Sequence, residues 1–233
     1  MNEKNTNTIN FKGVHNGHEQ TYNWARSFLK NCNFMRAKEN LGFTLLNENE
    51  MSIDFLWRRY IINKEAVEQK GEIKNYASSA VMDFNIKSLL CYYAIGPDWD
   101  EQNPYKFKPL PESDFAPLSA FSGGTFAGGG TFKRDASSKR LSDVYGDDYK
   151  KFEAHANDAG MLFIESRGDG KYLWQYDLLP RITIQLAYYQ GDDEFPTEIK
   201  TLFPRNVLDF FKFEPLAVLG GCFAEAFASI GKT

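Results

Sequence analysis

Residues 181–189 read Arg-Ile-Thr-Ile-Gln-Leu-Ala-Tyr-Tyr, with large apolar side chains at every second position from Ile182 to Tyr188. Alternation of large apolar residues with smaller or polar ones is typical of a β-strand that has one face in the core. Half-buried strands of this kind occur mostly in antiparallel sheets. We therefore expect this strand to pair with antiparallel neighbours.

Further strands are predicted upstream. Residues 161–166 and 171–176 flank the turn sequence Arg167-Gly168-Asp169-Gly170, which is typical of a hairpin connection. Residues 43–46 and 51–55 flank Asn47-Glu48-Asn49-Glu50, and residues 57–62 continue in strand-forming types. The strands are thus grouped in two blocks along the chain.

Helices are predicted from apolar residues at helical spacing. One is expected over residues 18–38, where Tyr22, Phe28 and Met35 belong to the apolar stripe and Gly42 follows as a stop. The others are expected over residues 79–95, before Gly96-Pro97; over 137–159, with a break near Gly146; and from Glu214-Pro215 to Ile230.

Because strands and helices run in blocks, the sequence favours an α+β fold with an antiparallel sheet packed against several helices. We expect residues 1–17 to be a flexible N-terminal lead-in and residues 18–233 to form a single α+β domain.

Composition excludes several classes of protein. Lys plus Arg is 27 and Asp plus Glu is 31, which gives a formal net charge of −4 with no long basic run, so a nucleic-acid partner is not expected. The longest apolar stretch, residues 216–230, contains Glu225 and is too short to span a membrane. Cys32, Cys91 and Cys222 are widely separated and odd in number, which indicates reduced thiols and a cytoplasmic location.

Asp192, Asp193 and Glu194 follow the 181–189 strand as three adjacent carboxylates, ahead of Phe195-Pro196. They can bind a hard cation through oxygen or supply an acid near a pocket. Consecutive strand residues point to alternate faces, so the three converge only in a turn. The alternative is a solvated strand end, in which Asp caps backbone amides and Phe195-Pro196 is tucked into the core.

The second candidate segment is a glycine-rich loop, residues 122–132. Its five glycines are Gly123, Gly124, Gly128, Gly129 and Gly130. Their backbone amides can approach an anion, although neither a Walker A nor a dinucleotide-binding pattern is present. The alternative is a surface loop or a close crossing of chain segments.

The Gly191-Asp-Asp-Glu-Phe-Pro196 block, Leu202-Phe203 and residues 214–220 resemble the C-terminal part of the family known as domain of unknown function 3786. Leu41-Gly42, the helix at residues 89–93 and the segment 119–124 also occur in the same order as in that family. The resemblance implies an anaerobic bacterial or archaeal setting, and some family members are labelled iron–sulfur proteins. This chain departs from that label, because three dispersed cysteines do not supply the four thiolates of a cluster, and no intrinsic cluster is expected.

Other residue types give weaker indications. His15-x-x-His18 has metal-like spacing in a polar N-terminus, and a solvated position is expected for His155. Trp24, Trp57, Trp99 and Trp174 can line a pocket for a flat ligand, although aromatic residues at such spacings more often belong to the core.

These observations lead to three hypotheses for function. The favoured one is a small-molecule-binding or cofactor-binding protein, with its site where the glycine-rich loop meets residues 192–196, because loops on a rigid scaffold commonly carry function. The second is a divalent-metal-dependent enzyme that uses the acidic trio. The third, implied by the family resemblance, is a protein-interaction module for anaerobic redox or corrinoid partners, with an apolar patch around Trp99 and Phe115.

Overall fold

The computed structural model describes residues 15–96, 114–121, 136–166, 168 and 170–231. Within these residues the helices are α1 His15–Arg26, α2 Phe34–Leu41, α3 Ala80–Ile95, α4 Ala136–Tyr145, α5 Tyr149–Asp158 and α6 Phe213–Ser229. The strands are β1 Thr44–Asn47, β2 Glu50–Phe55, β3 Arg58–Asn63, β4 Val67–Glu72, β5 Phe115–Pro117, β6 Leu162–Ser166, β7 Lys171–Leu179, β8 Ile182–Tyr189 and β9 Glu198–Pro204. Short 3-10 turns cover Leu29–Asn31, Leu118–Phe121 and Arg205–Asp209.

The strands form two antiparallel sheets. One has the order β1-β2-β3-β4, and the other has the order β5-β9-β8-β7-β6. The predicted α+β class with antiparallel pairing is confirmed. The strand blocks form separate sheets because each pairs through its own hairpins, while α3 lies between the two blocks in the chain.

Strand β8, which carries the alternating sequence, is the central strand of the larger sheet. Ile182, Ile184 and Leu186 are fully buried, as the alternation predicts. Gln185 and Ala187 on the other face are only 3% and 5% exposed, so the expected solvent-facing side is wrong at these positions. β8 is the central strand, paired with β7 and β9 on both edges, and the Gln185 side chain contacts Gln175 of β7 at 3.5 Å.

The helix predicted over residues 18–38 is divided into α1, a 3-10 turn and α2. Asn33 caps α2, because its side-chain oxygen accepts the N–H of Arg36 at 3.1 Å. Gly42 ends α2 with a φ of 78°, which confirms the predicted stop. The interruption changes the helical phase, so Phe28 and Met35, expected in the core, are 40% and 50% exposed.

Helix α6 lies at the centre of the packing and contacts α3 and α4. It begins at Phe213, so Pro215 falls in its first turn. Trp57, in the turn between β2 and β3, stacks on Tyr176 of β7 at 4.9 Å, and Phe223 of α6 lies 6.1 Å from the same indole. One hydrophobic cluster therefore includes residues of both sheets and of α6.

Across the part of the chain that the structure describes, every helix is too short or too polar to cross a lipid bilayer.

Candidate functional site

The acidic residues lie in an exposed turn, residues 192–196, between β8 and β9. The Asp192 carboxylate accepts the backbone N–H groups of Phe195 and Glu194 at 2.8 and 2.9 Å. The N–H of Asp192 donates to the carbonyl of Phe195 at 2.9 Å. The N–H donors of Phe195 and then Glu194 favour the charged carboxylate and lower the pKa of Asp192 below its ordinary value. Asp192 therefore stabilises the turn that carries the acidic trio.

The base of this turn is fixed by packing as well as by hydrogen bonds. The N–H of Gly191 donates to Thr197 Oγ1 at 2.8 Å, and the Thr197 hydroxyl donates to the Asp147 carboxylate. A Cβ on Gly191 would lie 2.5 Å from the Thr197 backbone nitrogen. The Tyr188 hydroxyl donates to the carbonyl of Gly146 at 2.8 Å, which ties β8 to the end of α4. The turn is thus a constrained connection.

The side chains of the acidic turn face solvent. Phe195 is 66% exposed, so the expectation that Phe195-Pro196 is tucked into the core is wrong. The backbone bond between Asp192 and Phe195 closes the turn outside the sheet and leaves the ring outside the core. No group of three or more His, Cys, Asp or Glu side chains in the described ranges is arranged to hold a metal ion.

The glycine-rich loop with Gly123, Gly124, Gly128, Gly129 and Gly130 lies outside the described residues. Ala136, the first residue of α4, is the first described residue after it in the chain. The acidic turn is tied to Gly146 and Asp147, beyond the other end of that ten-residue helix, about 15 Å along its axis. The predicted meeting of loop and turn therefore stays a prediction.

A cleft that the sequence did not single out lies between α1, the end of α3 and the segment leading into α6. Its volume is about 650 Å³. We call it the aromatic cleft, and it is lined by Trp24, Phe28, Tyr92, Ile95, Gly96, Leu208, Phe210, Phe211, Lys212 and Pro215. Ligand-binding clefts commonly have volumes of about 300–1,000 Å³ and mostly apolar walls.

Three aromatic rings form one wall of the aromatic cleft. Trp24 packs edge-on against Phe28 at 4.9 Å and lies 6.2 Å from Tyr92. Trp24 is outside the buried stripe of α1, where Tyr22 and Ala25 face the core, so its indole remains 59% exposed. Burial raises the pKa of the Tyr92 phenol, so the hydroxyl stays neutral near pH 7.

A second, more polar cleft of about 460 Å³ adjoins the first. We call it the polar cleft, and it is lined by Phe28, Asn31, Cys32, Asn33, Arg36, Ala37, Ala94 and Ile95. Phe28 and Ile95 line both clefts, so the two share a wall. The combined surface offers apolar rings at one end and amide and guanidinium groups at the other.

The charged groups on the described lining of both clefts have one sign. Lys212 borders the aromatic cleft, Arg36 borders the polar cleft, and neither lining includes an Asp or Glu. The chain as a whole carries a formal charge of −4. The positive character is therefore local to this surface.

Cys32 gives the polar cleft no nucleophile. Its thiol donates to the carbonyl of Ala94 at 3.2 Å and is 7% exposed. Burial raises the pKa of the thiol to about 11, with the nearby Lys64 charge only partly opposing the shift. Since the thiolate is the reactive form, Cys32 is a structural residue near pH 7.

The structure gives His18 and His155 side-chain contacts that the sequence does not predict. His18 lies on α1, and its Nδ1 is 2.8 Å from the side-chain oxygen of Asn85. His155, expected to be solvated, is half-buried, with ring centroids 5.6 Å from Tyr145 and 5.0 Å from Phe227. The packing of α5 against α4 and α6 accounts for this difference.

Of the four tryptophans that the sequence suggests can line a pocket, Trp57 and Trp174 are buried in the core and Trp24 lines the aromatic cleft. Trp99 lies outside the described residues. Phe28 belongs to the helical stripe that the sequence predicts to face the core, and Tyr92 lies on the helix predicted over residues 79–95. Their contact with Trp24 joins α1 to α3, helices some 60 residues apart in the chain, and no local pattern reports such a contact.

Comparison with family models matches the chain to the family described as Domain of unknown function (DUF3786), over residues 33–226. The match covers most of the chain, so the chain belongs to this family. Comparisons with curated proteins and with solved structures give no match.

Proposed function

We propose that this DUF3786 chain is a small-molecule-binding protein whose ligand places a flat apolar group in the aromatic cleft. The observation that carries the proposal is the 59% exposure of Trp24 beside a cleft of about 650 Å³. Large exposed apolar surface in a concave site is typical of ligand binding, because a soluble protein otherwise buries it.

The cleft wall is suited to a flat group. Trp24 and Phe28 meet nearly edge to face, at an interplanar angle of 78°, so the two rings present a corner with differently oriented surfaces. A planar ligand that stacks on the indole can meet the edge of the phenyl ring, the geometry that aromatic pairs prefer. Leu208, 45% exposed, supplies aliphatic surface in the same cleft.

The site predicted from the sequence, the glycine-rich loop together with Asp192, Asp193 and Glu194, shares no residue with the described lining of the aromatic cleft. Within the described residues, the acidic turn has a structural explanation in the hydrogen bonds of Asp192. The aromatic cleft is therefore our preferred location for the ligand. The loop–turn site, and the metal-dependent and partner-binding functions, remain predictions.

The compartment that we propose for this function is the cytoplasm. Support comes from the three cysteines, all of which are free and buried, as in proteins that keep their thiols reduced.

The proposal is tested by binding of N-phenyl-1-naphthylamine, a neutral aromatic probe that becomes fluorescent in apolar sites. We expect saturable binding to the wild type. We expect Trp24→Ala to raise the dissociation constant about tenfold, which is about 1.4 kcal/mol and comparable to one aromatic stacking contact. Because Trp24 is largely exposed, circular dichroism of the variant should match the wild type.

Leu162→Ala is the matched control, since Leu162 is 61% exposed and belongs to the edge strand β6. It removes a similarly exposed apolar side chain that does not line the aromatic cleft. An unchanged dissociation constant in Trp24→Ala, or equal losses in the two variants, would contradict the proposal, as would absence of saturable binding to the wild type.

A further inference from the structure

We infer that the ligand of the aromatic cleft is a flat apolar acid, whose acidic group pairs with the guanidinium of Arg36 in the polar cleft. This inference rests on the proposed function, because the apolar part of the ligand occupies the aromatic cleft. It adds the charge of the ligand and the residue that recognises it.

The two clefts share lining residues, which allows one ligand to contact both. Phe28 and Ile95 line both clefts, so the apolar lining near Trp24 adjoins the polar lining near Arg36. Residues of the polar cleft lie on the 3-10 turn and on the first turn of α2, directly after Phe28 in the chain. An elongated molecule that lies across Phe28 and Ile95 can therefore contact the apolar rings at one end and Arg36 at the other.

The guanidinium of Arg36 is available to a ligand. Its side chain is half-buried, and among the described residues no carboxylate forms an ion pair with it and no acceptor receives its N–H groups. The backbone N–H of Arg36 donates to the side-chain oxygen of Asn33, a contact that does not involve the guanidinium. A partly desolvated guanidinium with no counter-charge gains more from an anion than an exposed one does.

A helix-stabilising role does not explain Arg36. It lies in the first turn of α2, where the helix dipole favours anions and disfavours cations. The first turn of α2 contains no acidic residue to offset it. An acidic ligand would provide the missing negative charge.

A second cation, Lys64, adds positive charge beside the polar cleft. Lys64 donates to the carbonyl of Cys32, and its ammonium lies 4.3 Å from the ring centroid of Phe34. Neither partner is charged, so the positive charge of Lys64 is not neutralised there. Arg36 remains the recognition residue, because its planar guanidinium can donate two parallel N–H groups to a carboxylate or sulfonate.

The test compares two probes with the same aromatic body. N-phenyl-1-naphthylamine is neutral, and 1-anilinonaphthalene-8-sulfonate carries one negative charge. We expect Arg36→Gln to raise the dissociation constant of the anionic probe about tenfold or more, the loss associated with a charge-assisted hydrogen bond. Affinity for the neutral probe should change less than twofold, and Arg36→Lys should be intermediate for the anionic probe.

Lys38→Gln is the matched control for charge. Lys38 is exposed in the last turn of α2, carries the same charge and does not line either cleft. We expect it to leave both affinities within twofold of wild type. Raising the salt concentration should weaken the anionic probe in the wild type and in Lys38→Gln, but much less in Arg36→Gln.

The outcomes separate this inference from the proposed function. If Trp24→Ala weakens both probes while Arg36→Gln affects neither, the cleft binds ligand and the recognition of an acid by Arg36 is wrong. If Lys212→Gln rather than Arg36→Gln weakens the anionic probe, the assignment of the residue is overturned. Equal weakening of both probes by Arg36→Gln, with a lowered melting temperature, would indicate a structural role and also overturn it. If Trp24→Ala affects neither probe, the proposed function itself fails.

Discussion

Gly42 ends helix α2, and its position makes a quantitative prediction about how the candidate site is held in place. Its φ of 78° lies in the left-handed region, and a Cβ built on it would lie 2.5 Å from Cβ of Pro180, in the β7–β8 turn. The residue thus joins the helix that carries Arg36 to the larger sheet. We expect Gly42→Ala to lower the free energy of unfolding substantially.

The expected magnitude has two contributions. An alanine in the left-handed region costs about 1–2 kcal/mol. Forcing a methyl group into the 2.5 Å contact costs about 1–3 kcal/mol more, as overpacking usually does. Alanine restricts the unfolded chain and returns about 0.4–1 kcal/mol. The net loss is about 1–5 kcal/mol, with a middle value of about 3 kcal/mol, measured by urea denaturation.

Gly160→Ala isolates the contact. Gly160 has a nearly identical φ of 76°, but a Cβ there meets no atom within 4 Å. We expect it to lose only the conformational part, about 1 kcal/mol. The double variant Gly42→Ala with Pro180→Gly should lose less stability than the sum of the two single variants, because Pro180→Gly removes the atom that clashes. Equal losses in Gly42→Ala and Gly160→Ala would refute the contact argument.

Three further predictions concern buried polar groups, the thiols and the acidic turn. Trp57→Phe should lower the free energy of unfolding by about 1–3 kcal/mol, as measured by chemical denaturation. The variant loses the indole N–H that donates to the carbonyl of Ala159 at 2.8 Å, and the buried acceptor is left unpaired. Cys222 should resist iodoacetamide at pH 8 in the native protein and react in urea, as judged by mass spectrometry, because burial raises its pKa to about 12. The folded state therefore keeps this proton after the unfolded state has released it, so the associated stability is complete below the ordinary thiol pKa of about 9 and falls as pH rises above it. Asp192→Ala should lower the melting temperature slightly, and Asp192→Asn, which keeps an acceptor oxygen, should lower it less. Because the pKa of Asp192 is lowered, its contribution to stability should be present above the ordinary aspartate pKa and disappear as pH falls through the lowered pKa. Equal melting temperatures for the wild type and both variants would contradict the turn-stabilising role.

Local patterns were sufficient to predict much of the fold. The strand at β8, the hairpin between β6 and β7, the break at Gly146 and the cap at Gly42 all depend on near neighbours in the chain, and the structure confirms each. The division of the first helix was missed because the capping bond from Arg36 N–H to Asn33 competes with helix continuation. Phe28 lies between α1 and the 3-10 turn and lines the aromatic cleft instead of the core.

The candidate site was not predicted because it depends on contacts between distant segments. In the sequence, Trp24 is one of four tryptophans that can line a pocket, and nothing local distinguishes it from the others. Its separation from the core stripe of α1 depends on where α3 packs, and the contact with Tyr92 spans some 70 residues. The acidic turn, in contrast, was visible in sequence because its three carboxylates are adjacent, and its observed hydrogen bonds match the capping alternative.

The sequence by itself determined the α+β class, the antiparallel pairing and the family, because hydrophobic periodicity, turn chemistry and short motifs are all local properties. Tertiary structure alone decided that the strands form two sheets, that β8 is buried on both faces, and that Leu56 and Trp57 adopt positive φ values of 47° and 56° without a glycine. It also brought Trp24, Tyr92 and Arg36 to neighbouring clefts. The physical reason is that these features depend on which segments pack together, and the free energy of that packing is a property of the whole core.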